Sequence, residues 1–79
     1  MLDDKSKDQA RVIIADALGI NVMQVDSSAD IETLSEWNSL KHVSIVLTLE
    51  QVIGRQLEIE EILEATSVAG IETILLSLA

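Results

Sequence analysis

The sequence predicts an all-α fold: a small four-helix bundle of three longer helices and one short third helix, with a long loop between helices one and two. Three observations carry this. Aliphatic residues recur at helical spacing in several stretches, Gly19 and Gly54 close two of them, and no segment alternates at period two long enough for a strand. At 79 residues the chain fits one domain, residues 1–79, with no room for a second core.

The first periodic stretch is Asp8–Leu18, with Ala10, Ile13, Ile14, Ala17 and Leu18 in helical register and Gly19 placed for a left-handed C-terminal residue. Residues 20–38 lose the period. Ile20, Val22, Val25, Ile31 and Leu34 stand apart among Asn, Asp and Ser, as in an anchored loop whose apolar residues plug gaps between helices. Loops of that length in small domains are often functional. Within it, Thr33–Glu36 (T-L-S-E) matches a capping box.

Ser39–Ile53 reads as the strongest helix, with Leu40, Val43, Val46, Leu47 and Val52/Ile53 as its inward apolar face and Gly54 as its stop. A polar stripe of Lys41, Ser44, Thr48, Gln51 and Arg55 recurs at spacings 3, 4, 3 and 4, suited to partner docking on a helix otherwise buried. Ile59–Glu64 is the short third helix. Thr66 or Ser67 caps a fourth running to Leu78, with Val68, Ile71, Ile74, Leu75 and Leu78 facing inward. Gly70 weakens that helix by about 1 kcal/mol, a cost that a tight helix contact would offset.

Composition removes several function classes. Hydrophobic residues make up 48% of the chain, too many for a disordered segment despite the net charge of −9. That charge argues against nucleic acid and against anionic membrane surfaces. No run of large aliphatics exceeds three residues, far short of a membrane span, and the N-terminus MLDDKSKDQ is no secretory signal. Without cysteine the chain forms no disulfide, zinc–thiolate site or thiol nucleophile of its own, which is compatible with the cytosol. The absence of sustained heptads and the net charge predict a monomer.

Ser39 precedes His42 by one helical turn, but no G-x-S-x-G elbow surrounds the serine and no orienting acid is evident, so hydrolysis is not expected. Two acidic groups, Asp26/Asp30/Glu32/Glu36 and Glu58/Glu60/Glu61/Glu64, lack EF-hand spacing and read as solvated surface; no metal site is expected. Ser39 itself has two readings. Either it or Asn38 caps the helix, worth about 1 kcal/mol, or Ser39 attaches a phosphorylated group, which the helix dipole and free amides would stabilise.

W-N-S-L at Trp37–Leu40 resembles the D-S-L prosthetic-group site of the acyl and peptidyl carrier proteins. The resemblance covers roughly residues 8–78. Ala10–Ile20 (A-R-V-I-I-A-D-A-L-G-I) is similar to the family's first helix, Ser39–Glu50 to its second, and Ala65–Ile71 (A-T-S-V-A-G-I) to the entry into its fourth. It implies a four-helix bundle whose Ser39, flanked by Asn38 and Leu40, receives 4′-phosphopantetheine from coenzyme A through a phosphopantetheinyl transferase. The arm's thiol would carry an acyl or aminoacyl group as a thioester between a loading enzyme and later biosynthetic enzymes. The chain would be a shuttle, not a catalyst. The alternatives are an aminoacyl or peptidyl carrier and an armless helical interaction module.

Three departures refine that expectation. Asn38 replaces the family's usual acidic residue, keeping cap ability but losing a charge worth about 0.3–1 kcal/mol. Trp37 resembles the W-D-S-L form of discrete carriers in specialised pathways and is expected to pack the loop on the bundle. The best-known fatty-acid carriers of this family present an acidic second helix, whereas residues 39–55 here hold Lys41, Arg55 and only Glu50, a net +1 that leaves −10 for the rest. A near-neutral docking helix fits strongly basic partner sites poorly, which points to a dedicated lipid, polyketide or other specialised pathway.

Overall fold

A computed structural model describes residues 2–77. It is a four-helix bundle: α1 (Leu2–Leu18), a short 3-10 turn (Val22–Gln24), α2 (Ser39–Ile53), α3 (Ile59–Glu64) and α4 (Val68–Leu76). The main seams join α1 to α4 and α1 to α2, while α3 leans on α4. The core gathers Ala10, Ile13, Ile14 and Leu18 of α1, Ile45 and Leu49 of α2, and Val68, Ile71, Ile74 and Leu75 of α4. Val25 and Trp37 plug it from the loop. The inward face expected of the fourth helix is found, except that Leu78 lies outside the described residues.

Helix α1 begins six residues before the expected Asp8. Its opening stretch is polar and carries no apolar period to reveal it, but Lys, Gln and Ala tolerate helix well. The helix closes in a Schellman motif: Gly19, at φ 73°, donates to Asp16 O at 3.3 Å, and Ile20 donates to Ala15 O at 3.0 Å.

The long loop is fastened at several points. Arg11 of α1 donates through Nε to Val25 O at 2.6 Å and through Nη2 to Val22 O at 3.1 Å. Farther on, Asp30 and Ser67 form an antiparallel bridge, with Ile31 donating to Thr66 O at 2.9 Å and Val68 to Ala29 O at 3.0 Å. The capping box expected at Thr33–Glu36 is replaced by a turn built on Asp30, whose Oδ1 accepts from the Glu32 and Thr33 amides at 2.8 and 2.9 Å. Asp30 wins because a short carboxylate reaches the amides two and three residues on. A capping box forms instead at Asn21–Gln24 around the 3-10 turn.

Gly70 meets the close contact expected of it. A Cβ there would lie 1.8 Å from the Glu64 carbonyl oxygen, so α3 and α4 approach as they do only because position 70 is glycine. Ser67, rather than Thr66, caps α4, accepting from the Gly70 amide at 2.9 Å. Thr66 instead donates its hydroxyl to Leu63 O at 3.1 Å.

Helix α2 needs the largest correction. Its bounds are as expected, but its buried face is Ile45 and Leu49, flanked by half-buried His42, Val46 and Ile53. Leu40, Val43, Leu47 and Val52 are exposed. The helix carries aliphatic residues around most of its circumference, so periodicity alone did not distinguish the face that meets α1 from the face that meets water.

Candidate functional site at the start of α2

Asn38 and Ser39 share the junction of loop and helix, and the structure separates their roles. Asn38 is the N-cap, with extended backbone, and its Oδ1 accepts from the Lys41 amide at 2.9 Å while its carbonyl accepts from the His42 amide at 2.8 Å. Ser39 is the first helical residue, and it is exposed. Among the described residues its hydroxyl makes no hydrogen bond, and neither its amide nor that of Leu40 has a protein partner. The cap is thus filled by Asn38, leaving Ser39 Oγ unengaged beside two free N–H groups at the positive end of a fifteen-residue helix.

Leu40 points outward at 81% exposure. With Val43 and Leu47 it forms an apolar stripe running down α2 from the serine, and α3 exposes Ile59 and Leu63 as well. Surface apolar residues so aligned mark contact sites more often than scattered ones do.

The polar stripe anticipated for docking is divided. Lys41 and Gln51 are exposed, whereas Ser44 and Thr48 are half-buried, with the Thr48 hydroxyl bonded back to Ser44 O at 2.9 Å. Arg55 lies beyond the helix end, after Gly54 turns the chain at φ 78°, and grips Glu61 of α3 through two hydrogen bonds of 2.9 and 2.7 Å. That pair holds the Glu61 carboxyl down to about 2, with the Glu58 amide assisting, and raises the Arg55 guanidinium. Glu50 is also occupied, accepting from the Leu57 amide at 2.8 Å. Lys41 and Glu50 cancel, so α2 proper is formally neutral.

His42 is not a base for Ser39. Its Nδ1 accepts from Trp37 Nε1 at 3.1 Å and its Nε2 sits 3.1 Å from Ile62 O. An indole N–H only donates and a carbonyl only accepts, so chemistry assigns the proton to Nε2 and leaves Nδ1 bare. Trp37 is 2% exposed and stacks on the imidazole, ring centroids 6.0 Å apart, packing the loop on the bundle as expected. Sequence reasoning missed this relay. The available signal was a tryptophan N–H in need of an acceptor with the chain's one histidine five residues on.

The acidic groups converge on no metal site: among the described residues no three His, Asp or Glu side chains are placed to share an ion. A cavity of about 190 Å³ lies within the loop, lined by Gln24, Asp26, Ser28, Ala29, Thr33 and Leu34, away from the Ser39 turn. Its Asp26 carboxyl is lowered by hydrogen bonds from the Ser28 hydroxyl and amide. No helix among the described residues is long and apolar enough to cross a membrane. Comparison with protein-family models, with curated proteins and with solved structures found no match.

Proposed function

We propose that this chain is a carrier protein whose Ser39 takes a 4′-phosphopantetheine arm. The observation that carries the reading is the division of labour at the head of α2: Asn38 caps the helix, so Ser39 keeps an exposed, unbonded hydroxyl. The resemblance of Trp37–Leu40 and the flanking segments to the carrier family supplies the chemistry. The site fits such a group. The hydroxyl is accessible to a transferase, the free amides of Ser39 and Leu40 favour a phosphodiester, and no carboxylate of that turn repels it. The arm supplies the thiol that this cysteine-free chain lacks.

The cargo is an acyl or aminoacyl thioester, and the partners are a phosphopantetheinyl transferase, a loading enzyme and later biosynthetic enzymes of a dedicated pathway. Partner choice rests on a neutral α2 bearing Lys41, Gln51 and the apolar stripe, and not on an acidic helix. A second reading, an armless interaction module, draws on the same exposed Leu40, Val43 and Leu47.

The separating experiment is intact mass after incubation with coenzyme A and a permissive transferase. The carrier reading expects one phosphopantetheine increment in wild type and none in Ser39→Ala; no increment with several transferases leaves the armless module. For the pathway, Lys41→Glu is the informative substitution, because Arg55→Glu would also set two carboxylates together at Glu61. Wild-type loading by a general fatty-acid malonyl transferase should be poor and should improve in Lys41→Glu. Efficient loading of wild type, unchanged by the substitution, contradicts a dedicated partner set.

A further inference from the structure

Residues 38–41 are four consecutive exposed positions, and the residues on either side of them are joined to each other. Trp37, buried before them, donates its indole N–H to His42 after them. The stretch holding Ser39 is therefore an arch with tied feet. His42 ties it a second time, because its other nitrogen donates to the Ile62 carbonyl of α3, near the end of that helix. Neither bond is replaceable by rotation: the indole has one donor, the imidazole offers one acceptor and one donor, and each is used.

We propose that His42 is a positioning residue for modification of Ser39: through Trp37 and Ile62 it fixes the arch that presents the serine hydroxyl to the transferase. It touches neither the hydroxyl nor the incoming group, and the inference rests on the carrier reading above. A loosened arch keeps its helical turn, which Asn38 caps, but lets that turn shift against α3, and misplacement of a reacting atom slows chemistry.

The test uses four variants. His42→Ala removes both bonds. Trp37→Phe keeps an aromatic plug and removes the indole donor. His42→Gln restores one acceptor and one donor. Ile74→Val trims the buried face of α4, an element that makes neither of the two bonds tying the arch, as a control for stability. With coenzyme A and a permissive transferase, labelling of His42→Ala and Trp37→Phe falls about tenfold, mainly in kcat. His42→Gln returns to within about threefold of wild type, and Ile74→Val is unchanged. Wild-type rates in His42→Ala and Trp37→Phe overturn the proposal, as does a glutamine variant as slow as the alanine one, or equal slowing in Ile74→Val.

Failure of wild type to be labelled overturns the carrier reading instead, and the arch is then judged by solvent exchange of the Trp37 indole proton. Exchange is slow in wild type and His42→Gln and about tenfold faster in His42→Ala; equal rates in all three overturn the arch.

Discussion

Helices α2 and α4 are both aliphatic, and they use that character in opposite ways. In α4, Val68, Ile71, Ile74 and Leu75 are all buried, and Gly70 lets the helix press against the end of α3. In α2 only Ile45 and Leu49 are fully covered, while Leu40, Val43, Leu47 and Val52 face solvent. Helix α4 is committed to holding the bundle together. Helix α2 anchors by one face and offers the other, with the free serine hydroxyl at its head. Apolar content alone therefore does not say where a helix is structural and where it is available for contact; the neighbouring elements decide.

The sharpest way to break that contrast is within α2 itself, at two leucines two residues apart. Leu49 is 0% exposed and Leu47 is 54% exposed. Leu49→Ala should cost about 2–5 kcal/mol in denaturant unfolding, whereas Leu47→Ala should stay within about 0.5 kcal/mol. Similar losses at both positions would mean that the outer stripe is part of the core after all. Gly70→Ala probes the other helix. Its new Cβ would collide with the Glu64 backbone, so a loss of about 1–3 kcal/mol is expected in place of the gain that alanine normally brings to a helix.

The head of α2 gives smaller effects. Asn38→Ala should cost about 1 kcal/mol by removing the cap on the Lys41 amide. Asn38→Asp keeps that bond and places a negative charge at the positive helix end, raising stability by about 0.3–1 kcal/mol. Ser39→Ala should be nearly neutral in stability, because its hydroxyl holds nothing. A cap-sized loss there would return Ser39 to a structural role.

The smallest effect is expected at the tether between α2 and α3. Arg55 stabilises ionised Glu61, whose folded value of about 2 lies below its ordinary 4.5. A depressed carboxylate contributes its full stabilisation above pH 4.5 and loses it as pH falls through about 2. Acid unfolding curves of wild type and Arg55→Gln should therefore differ most above that window and converge below it. A constant offset throughout would assign the effect of Arg55 to packing.

Helix number, the bounds of α2 and α3, both glycine stops and the inward face of α4 were legible because each follows from local spacing and capping. The start of α1 was hidden, since its polar opening stretch leaves no hydrophobic period. The buried face of α2 was misread because Leu40, Val43 and Leu47 satisfy a helical period as well as Ile45 and Leu49 do; only the placement of α1 chooses between them. At the candidate site, Ser39, Asn38 and Leu40 were found from the motif. Their division of roles was not, because serine and asparagine are both good caps and one residue of register decides which one serves. The Trp37–His42–Ile62 relay spans three elements, so no sequence-local rule contains it.

The proposed carrier function stands or falls on Ser39, exposed and unbonded at the head of α2, being the one of the eight serines that is modified. Peptide mapping of the protein after treatment with coenzyme A and a permissive phosphopantetheinyl transferase tests it directly. The account predicts a single phosphopantetheine increment confined to the fragment containing Ser39, with the fragments bearing Ser6, Ser27, Ser28, Ser35, Ser44, Ser67 and Ser77 unchanged. An increment on any of those fragments, or on none, would contradict it.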